Sequence, residues 1–211
     1  MKAGTAAQPI AGDRDVLVEI AAAGVNLLDA KIRDGEFKLF LPYKTPFVLG
    51  HDVAGVVNRV GSAATRFHVG DEVYGRVRDH RIGTFAERIA AHEDDLAIKP
   101  ASLTMAEAAS VPLVALTAWQ ALVERANVQP AHKVLIHAGS GGVGTYAIQL
   151  AKHLGATVAT TTGSGNVEWV RDLGAEVVIT IDPRTSRGSS TTTTWSWTPR
   201  ADTRLRSRSA S

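Results

Sequence analysis

The sequence contains no cysteine, and this absence limits both its covalent chemistry and its metal chemistry. No disulfide bond can form, and no thiolate is present to bind a metal ion. Disulfide content therefore gives no guide to the cellular compartment. A cytoplasmic location is the default expectation.

Long apolar runs are also absent. A helix that crosses a bilayer needs about 20 consecutive apolar residues, and no stretch of the sequence approaches this length. The first four residues, Met1 to Gly4, do not begin an apolar core of the kind that a secretory signal requires. We therefore expect no membrane association.

A strong charge of one sign is missing from most of the chain. The formal net charge is +2, but residues 1–179 carry 17 Lys and Arg against 19 Asp and Glu, a net charge of −2. The positive charge belongs to the last 32 residues, which include six Arg. The main part of the chain therefore predicts no binding to nucleic acid.

Residues 1–103 are rich in short alternating segments. Segments 16–20, 53–60, 72–77 and 85–89 have the pattern of β-strands, and Gly and Asp turns separate them. Short strands with frequent Gly turns are typical of a strongly curved antiparallel sheet. We predict a partly closed β-barrel.

Residues 104–179 have a different pattern, in which helices and strands alternate. Thr104 and Glu107 have the spacing of a helix-capping box. Strands are predicted at 133–137, 157–162 and 177–179, with helices at 115–125, 143–154 and 167–173. This alternation predicts a parallel sheet with right-handed crossovers.

A glycine cluster lies between the strand at 133–137 and the following helix. Gly139, Gly141 and Gly144 satisfy the pattern G-x-G-x-x-G, in which glycines allow a tight turn, a close approach to phosphate and close packing of helix on strand. The helix N-terminus adds unpaired N–H groups. We predict that a dinucleotide diphosphate binds here, at Gly139, Ser140, Gly141, Gly142, Val143 and Gly144.

The cofactor preference depends on the end of the next strand. An NAD site usually places an acidic residue there to bind the ribose hydroxyl groups. Residues 160–166 contain no acidic residue, and Thr162, Ser164 and Asn166 offer polar side chains instead. A carboxylate would repel a 2′-phosphate, so its absence favours NADP(H).

The segment Gly50-His51-Asp52, with the glycines and acidic turn that follow it, resembles the medium-chain dehydrogenase/reductase superfamily. The resemblance implies a GroES-like catalytic domain at 1–103 and an incomplete Rossmann domain at 104–179, a doubly wound parallel sheet. In the zinc enzymes of this superfamily a cysteine and this histidine bind zinc. Here Asn26 stands in the segment where those enzymes carry the cysteine, so we expect no metal site. His51 is then expected to be a buried or hydrogen-bonding residue. Asp52, next to it in a turn, is expected to be solvated.

The zinc-free branch fits more of the sequence. Gly24-Val25-Asn26, Gly83-Thr84-Phe85 and the segments 116–122, 134–139 and 148–152 resemble the quinone oxidoreductase (zeta-crystallin-like) family. The resemblance covers about residues 16–179. It implies hydride transfer from NADPH to a quinone or an α,β-unsaturated carbonyl, and subunits that often pair as homodimers.

The same resemblance implies roles for three further residues. Asn26 and Tyr43 would lie near the nicotinamide and the acceptor, and Thr117 would contact the cofactor. Each has a structural alternative: Asn26 can cap the helix that begins near Leu27, and Tyr43 can be a half-exposed loop aromatic.

Residues 180–211 differ from both domains. Fifteen of these 32 residues are Ser or Thr, and apolar periodicity is absent, which predicts a disordered tail. A shift of the reading frame after Ile179 is a second interpretation. Codons for Thr191 to Thr198, read one base earlier, can encode an acidic turn followed by a hydrophobic strand. Codons for Thr180 to Arg187 support a frame shift in the same direction.

The reading-frame interpretation has a functional consequence. Three parallel strands would remain where a dinucleotide fold uses about six, so we expect little or no reductase activity from the isolated chain. Two alternatives to an enzyme follow: a non-catalytic nucleotide-binding protein and a non-functional fragment of a reductase. The coding DNA would test the frame directly.

Overall fold

A computed structural model describes residues 2–181 and the backbone of residues 195–197. The chain divides into two compact units, Met1–Leu113 and Val114–Ser211. The division lies ten residues beyond the boundary that we predicted between 103 and 104.

The first unit is built on an antiparallel sheet of five strands in the order β4-β1-β2-β3-β5. The strands are β1 (Asp15–Gly24), β2 (Asp52–Val60), β3 (Glu72–Arg76), β4 (Arg88–His92) and β5 (Leu96–Ile98). Strand β4 begins three residues later than the predicted segment 85–89. The three-residue strand β5 was not predicted, because so short a segment carries no periodicity.

The two edges of this sheet are close to each other in the chain. Strands β4 and β5 occupy opposite edges, yet only the 3₁₀ turn Glu93–Asp95 separates them. The four Cα–Cα steps from His92 to Leu96 span at most about 14 Å, so the sheet must curl to bring its edges together. The predicted antiparallel, partly closed barrel is confirmed, and no strand pairing between β4 and β5 closes it.

The interior of the curled sheet is apolar and its rim is fixed by a buried carboxylate. The core residues are Val16, Val18, Val53, Val57, Phe67, Val73, Val77, Ile89, Ala91 and Leu96. At the rim the Glu93 carboxylate accepts hydrogen bonds from the backbone N–H groups of Thr65 (2.8 Å) and Arg66 (3.0 Å) and from the Arg14 guanidinium (2.7 Å). These bonds hold the chain where it passes between the two sheet edges.

Two helices belong to the first unit. Helix α1 (Leu27–Asp34) follows β1, and helix α2 (Met105–Ser110) begins at the capping box of Thr104 and Glu107 that the sequence predicted. The α2 residues Ala108 and Ala109 are buried with Ala54 of β2. Because α2 packs on the first sheet, this helix lies in the first compact unit, although we assigned it to the second domain.

The second unit contains the alternating elements that the sequence predicted. Helix α3 (Pro112–Trp119) continues into a π-helical segment, Gln120–Arg125. It is followed by β6 (Lys133–Ile136), α4 (Gly142–His153), β7 (Thr157–Thr162), α5 (Val167–Asp172) and β8 (Val177–Thr180). Strands β6, β7 and β8 pair in parallel, as expected.

One short strand differs from the expectation for the tail. Residues Trp195–Trp197 form β9, which pairs antiparallel with β6 and gives the sheet order β8-β7-β6-β9. We predicted a disordered tail over 180–211, but Thr180 is the last residue of β8 and residues 195–197 form β9. The rest of 182–211 lies outside the described residues, so the reading-frame interpretation stays a prediction. Among the described residues, no helix is long and apolar enough to cross a bilayer.

Candidate functional site

The glycine loop, residues 138–144, lies where a parallel strand passes into a helix. Strand β6 ends at Ile136, Gly141 is the N-cap residue, and α4 begins at Gly142. Strand β7 pairs with β6 in parallel immediately beside the loop. This is the strand–loop–helix context that a phosphate-binding glycine pattern requires.

Two glycines of the loop are required by the protein's own packing. A Cβ atom at Gly139 would collide with the Oγ1 atom of Thr160, and a Cβ atom at Gly144 would collide with the carbonyl oxygen of Ala138. Gly139 therefore lets the loop lie against β7, and Gly144 lets the helix begin directly against the loop. Close packing is the role that the pattern predicts for its third glycine, Gly144, whereas the first glycine, Gly139, was predicted to allow a tight turn and is required by its packing on β7.

The second glycine has a different environment. Gly141 and Gly142 are exposed, and a Cβ atom at either position would meet one atom at 3.2 Å. Internal packing thus leaves their outer face open. The first backbone N–H groups of a helix have no intrahelical acceptor, and no side chain caps this N-terminus. The loop therefore presents free donors and a partial positive charge to an anion.

Three consecutive threonines of β7 support the loop from behind. The Thr160 hydroxyl donates to the carbonyl oxygen of Ile136 (2.7 Å), and the Thr161 hydroxyl accepts from the backbone N–H of Ala138 (3.0 Å). The Thr162 hydroxyl donates to the Ser140 hydroxyl oxygen (2.9 Å). Thr162 is 2% exposed, so its side chain reaches the loop surface only through Ser140.

The remaining predicted residues of the second unit are at its surface. Ser164 and Asn166 belong to the 3₁₀ turn Ser164–Asn166 that follows β7, and both are exposed. Thr117 is exposed on α3. The turn thus lies at the carboxyl end of the strand next to the glycine loop, which is where the sequence placed the residues for the adenosine ribose.

The first unit contains a second group of polar residues, the polar cluster, formed by Asn26, Asp29, His51 and Asp52. Asn26 precedes α1, Asp29 lies in its first turn, and the other two lie at the start of β2. Asp29, His51 and Asp52 are at most 2% exposed. Buried polar side chains are normally hydrogen-bonded, so the hydrogen-bond partners of these residues determine how the cluster is arranged.

Asp52 has both carboxylate oxygens occupied. Its Oδ2 atom accepts a hydrogen bond from the Nδ2 atom of Asn26 (2.9 Å), and its Oδ1 atom accepts one from the backbone N–H of Leu113 (3.1 Å). Burial raises the pKa of Asp52 to about 6, although these two hydrogen bonds act in the opposite direction.

His51 is paired on one side only. Its Nδ1 atom lies 2.7 Å from Oδ1 of Asp29, and the second Asp29 oxygen accepts from the backbone N–H of Asn26 (2.9 Å). The Nε2 atom has no hydrogen-bond partner among the described residues and lies 3.9 Å from Oδ1 of Asp79. The sequence expectation of a buried, hydrogen-bonding His51 agrees with this geometry.

Tyr43 is half-buried in the loop after α1. Its hydroxyl oxygen accepts a hydrogen bond from the backbone N–H of His80 (3.3 Å), and its ring stacks on Phe47 with 5.2 Å between ring centroids. Burial raises the pKa of the Tyr43 hydroxyl. The side chain is therefore a neutral hydroxyl group at neutral pH.

Sequence reasoning missed the role of Asp52, which we expected to be a solvated turn residue. The structure corrects this: Asp52 is 1% exposed and pairs with Gly24 across the β1–β2 ladder. The structure also explains the glycine opposite it, since a Cβ atom at Gly24 would lie 3.0 Å from the Cβ atom of Asp52 and would collide with the carbonyl oxygen of Ala109. The absence of a side chain at Gly24 therefore leaves room for the buried Asp52 side chain on the neighbouring strand.

The residues around His51 can be compared with the requirements of a zinc site. A zinc site needs three or four nitrogen, sulfur or oxygen ligands in a tetrahedral arrangement. The Nε2 atom of His51 is the ring nitrogen left without a hydrogen bond among the described residues, and Oδ1 of Asp79 lies 3.9 Å from it. Among residues 2–181, no group of three or more His, Cys, Asp or Glu is placed to hold a metal ion.

Comparison with known proteins identifies the architecture. Residues 12–101 match the alcohol dehydrogenase GroES-like domain. A chloroplastic quinone-oxidoreductase homolog of Spinacia oleracea is 40% identical over 183 residues, which cover 84% of this chain and 55% of the relative. The chain belongs to the medium-chain dehydrogenase/reductase superfamily.

Two further members of the superfamily are similar. A chloroplastic NADPH-dependent alkenal/one oxidoreductase of Arabidopsis thaliana is 43% identical over 172 residues, covering 78% of this chain and 44% of the relative. The Escherichia coli quinone oxidoreductase complexed with NADPH superposes with a TM-score of 0.73 at 32% identity, covering 84% of this chain and 53% of that chain. The chain spans about half the length of the superfamily members it matches.

These similarities correct one expectation from composition. We took a cytoplasmic location as the default, but both plant relatives are chloroplastic proteins. The default was wrong because the absence of cysteine and of apolar runs does not distinguish the cytoplasm from the interior of an organelle.

Proposed function

We propose that this chain carries the catalytic and nucleotide-binding elements of an NADPH-dependent reductase that acts on a quinone or an α,β-unsaturated carbonyl without zinc. The observation that supports it most is the glycine loop, whose second glycine is open to solvent while its first and third are fixed by packing. The similarity to an NADPH-dependent alkenal/one oxidoreductase and to quinone oxidoreductases supports the same reaction class.

The glycine loop would bind the diphosphate of the cofactor. The backbone N–H groups of Gly142, Val143 and Gly144 face the anion at the helix N-terminus, and Ser140 adds its hydroxyl group. Thr162 donates to Ser140 and leaves the Ser140 hydrogen free for a phosphate oxygen. Thr162 thus positions Ser140 and does not itself contact the ligand.

The preference for NADPH over NADH would come from the turn Ser164–Asn166. This turn carries no carboxylate, and both Ser164 and Asn166 can donate hydrogen bonds to a 2′-phosphate. Thr117 would contact the cofactor from α3. When bound, NADPH supplies a hydride from its nicotinamide ring to the acceptor.

The acceptor would be held by residues of the first unit. Without a metal ion, the negative charge that develops on the acceptor oxygen must be stabilised by hydrogen-bond donors. Asn26 has a half-buried side-chain amide, and Tyr43 has a half-buried hydroxyl group that can donate a hydrogen bond. We assign Asn26 and Tyr43 to this role.

The proposal is tested by titrating the purified chain with NADPH and with NADH and then adding a series of quinones and enones. We expect tighter binding of NADPH than of NADH, and turnover that a chelator does not change. Failure of the chain to bind NADPH would contradict the proposal. Sedimentation of the same sample would test whether the chain pairs as a homodimer.

A non-catalytic nucleotide-binding protein is the second candidate. In the described residues the parallel part of the sheet has three strands, where a dinucleotide fold uses about six. This candidate predicts NADPH binding without oxidation in the presence of any acceptor. The acceptor series therefore separates the two functions.

A further inference from the structure

We propose that Asp52 is a positioning residue that fixes the orientation of the Asn26 side-chain amide. The inference rests on the proposed function, because Asn26 is the residue that we assign to the acceptor site. It begins from the hydrogen bond of 2.9 Å between Nδ2 of Asn26 and Oδ2 of Asp52.

The position of the Asp52 carboxylate is determined from several sides. The backbone N–H of Leu113 holds one oxygen, and the Asp52 side chain occupies the space left by Gly24, directly opposite in the β1–β2 ladder, where an added Cβ atom would lie 3.0 Å from its Cβ atom and 3.3 Å from its Oδ2 atom. Asp52 is 1% exposed, so water does not compete for its oxygens. The acceptor that faces Asn26 is therefore held in one place.

A fixed acceptor selects one orientation of the neighbouring amide. If the amide of Asn26 were rotated by half a turn, its carbonyl oxygen would face a carboxylate oxygen, and two acceptors would meet in a buried site. The Asp52 carboxylate therefore keeps the Nδ2 atom of Asn26 on the side that faces Asp52. The second Nδ2 hydrogen of Asn26 remains available on its other side, and the side chain also faces the backbone N–H of Asp29 in the capping box of α1.

The chain on both sides of Asn26 is fixed as well. The backbone N–H of Asn26 donates to Asp29, and Asp29 pairs with the buried His51. Backbone and side chain of Asn26 are thus held by two different carboxylates. This preorganisation places a donor in a defined geometry before a ligand binds, which lowers the cost of ordering it.

The inference predicts a property of the protein without ligand. In protein labelled with ¹³C and ¹⁵N, one Nδ2 hydrogen of Asn26 should be shifted downfield and protected from exchange, with a scalar coupling across the hydrogen bond between Nδ2 and the Asp52 carboxyl carbon. In Asp52→Asn, which has nearly the same volume, this signal should lose its shift. The backbone signal of Leu113 should stay close to its position, because the new side chain keeps one acceptor oxygen.

Binding of a quinone acceptor provides the second measurement, because Asn26 is assigned to the acceptor site. We expect Asp52→Asn and Asn26→Ala each to weaken quinone binding roughly fivefold, as for the loss of one hydrogen bond, and the double variant to be no weaker than either. Asp34→Asn is the matched control, because Asp34 is an exposed carboxylate paired with Arg33, and it should leave the affinity unchanged.

The outcomes are distinguishable. An Asn26 amide signal unchanged in Asp52→Asn, or absent coupling in the unmodified chain, overturns this inference alone. A changed signal with unchanged quinone affinity assigns Asp52 a structural role and overturns its role in positioning. If the unmodified chain does not bind NADPH, the proposed function fails. Should Asp52→Asn not fold, the coupling in the unmodified chain and the affinity of Asn26→Ala decide the question.

Discussion

In the second unit the candidate site is made of backbone, whereas in the first unit it is made of buried side chains. The glycine loop works because Gly139 and Gly144 have no side chains, so that backbone donors come to the surface at the start of α4. The polar cluster is held together because the buried side chains of Asp29, His51 and Asp52 form hydrogen bonds with one another or with the backbone.

This difference determines how each site should respond to substitution. In the glycine loop, a methyl group added at Gly139 or Gly144 would collide with neighbouring atoms of the protein. A methyl group added at the open positions, Gly141 and Gly142, should affect only the binding of the ligand. In the polar cluster, removal of one carboxylate leaves a buried donor without a partner. The predictions below test this contrast in order of decreasing effect.

The largest effect is expected for Gly139→Ala in the loop. The added methyl group would collide with Thr160 Oγ1, and overpacking of this kind costs about 3 kcal/mol. Gly141→Ala is the matched control, because its methyl group meets one atom at 3.2 Å and its φ of −81° suits any residue. Thermal unfolding should show a large loss for the first variant and at most about 1 kcal/mol for the second. Equal losses would contradict the assignment of packed and open glycines.

Gly141→Ala should nevertheless weaken NADPH binding. Its methyl group would stand on the face that we assign to the diphosphate, so we expect a loss of about tenfold or more, with the fold intact. Isothermal titration of both glycine variants would separate stability from affinity. If Gly141→Ala binds NADPH with wild-type affinity, the diphosphate does not bind at this face of the loop.

Removal of Asp29 should give the next largest loss of stability. In Asp29→Ala, the buried His51 loses the partner of Nδ1 and the backbone N–H of Asn26 loses its acceptor. An unsatisfied buried group costs about 1–3 kcal/mol, so we expect a destabilisation of about 2 kcal/mol in urea unfolding. Asp34→Ala, on the exposed side of the same helix, should change stability by less than about 0.5 kcal/mol. A similar result for both variants would show that the polar cluster is not a stabilising unit.

The two sites also differ in how much of them the sequence predicts. The glycine loop was predicted residue by residue, because its seven residues are contiguous and the elements on either side have clear periodicity. The polar cluster brings together the segments near positions 26 and 51 and bonds to Leu113; the burial of its Asp52 was not predicted, and its Asp29 was given no role. Strand pairing determines that Asp52 is buried opposite Gly24, and no local pattern around Asp52 indicates this pairing.

The same reasoning explains the smaller differences in the fold. Long periodic elements such as α4 and β7 have the predicted extents within about two residues, since burial on one face repeats along each of them. The three-residue strands β5 and β9 were not predicted, because they form only where a neighbouring strand offers an unpaired edge. Tertiary context, and not local preference, decides such segments.

The stability of the first unit should depend on pH through Glu93. Hydrogen bonds from the backbone N–H of Thr65 and from Arg14 lower the pKa of Glu93 to about 2, against a value near 4.5 without them. The folded state therefore binds this proton less readily than the unfolded state, and the stabilisation is complete above pH 4.5. It should be lost as the pH falls from 4.5 towards 2. Glu93→Gln should be less stable than wild type at pH 7, and the difference should shrink across this window. A constant difference would contradict the lowered pKa.

The smallest effect concerns cofactor preference at the turn Ser164–Asn166. A carboxylate at the end of β7 repels a 2′-phosphate and accepts hydrogen bonds from the ribose hydroxyl groups of NADH. We therefore expect Ser164→Asp to weaken NADPH binding about tenfold and to leave NADH binding equal or tighter. Ser164→Asn has a similar volume without the charge and is the control, with an expected change below about threefold. Because Ser164 is exposed, neither variant should alter the unfolding temperature, so a change in affinity reports on the ligand alone. If both variants weaken the two cofactors equally, the turn does not face the 2′-position, and the NADPH preference must come from elsewhere in the second unit.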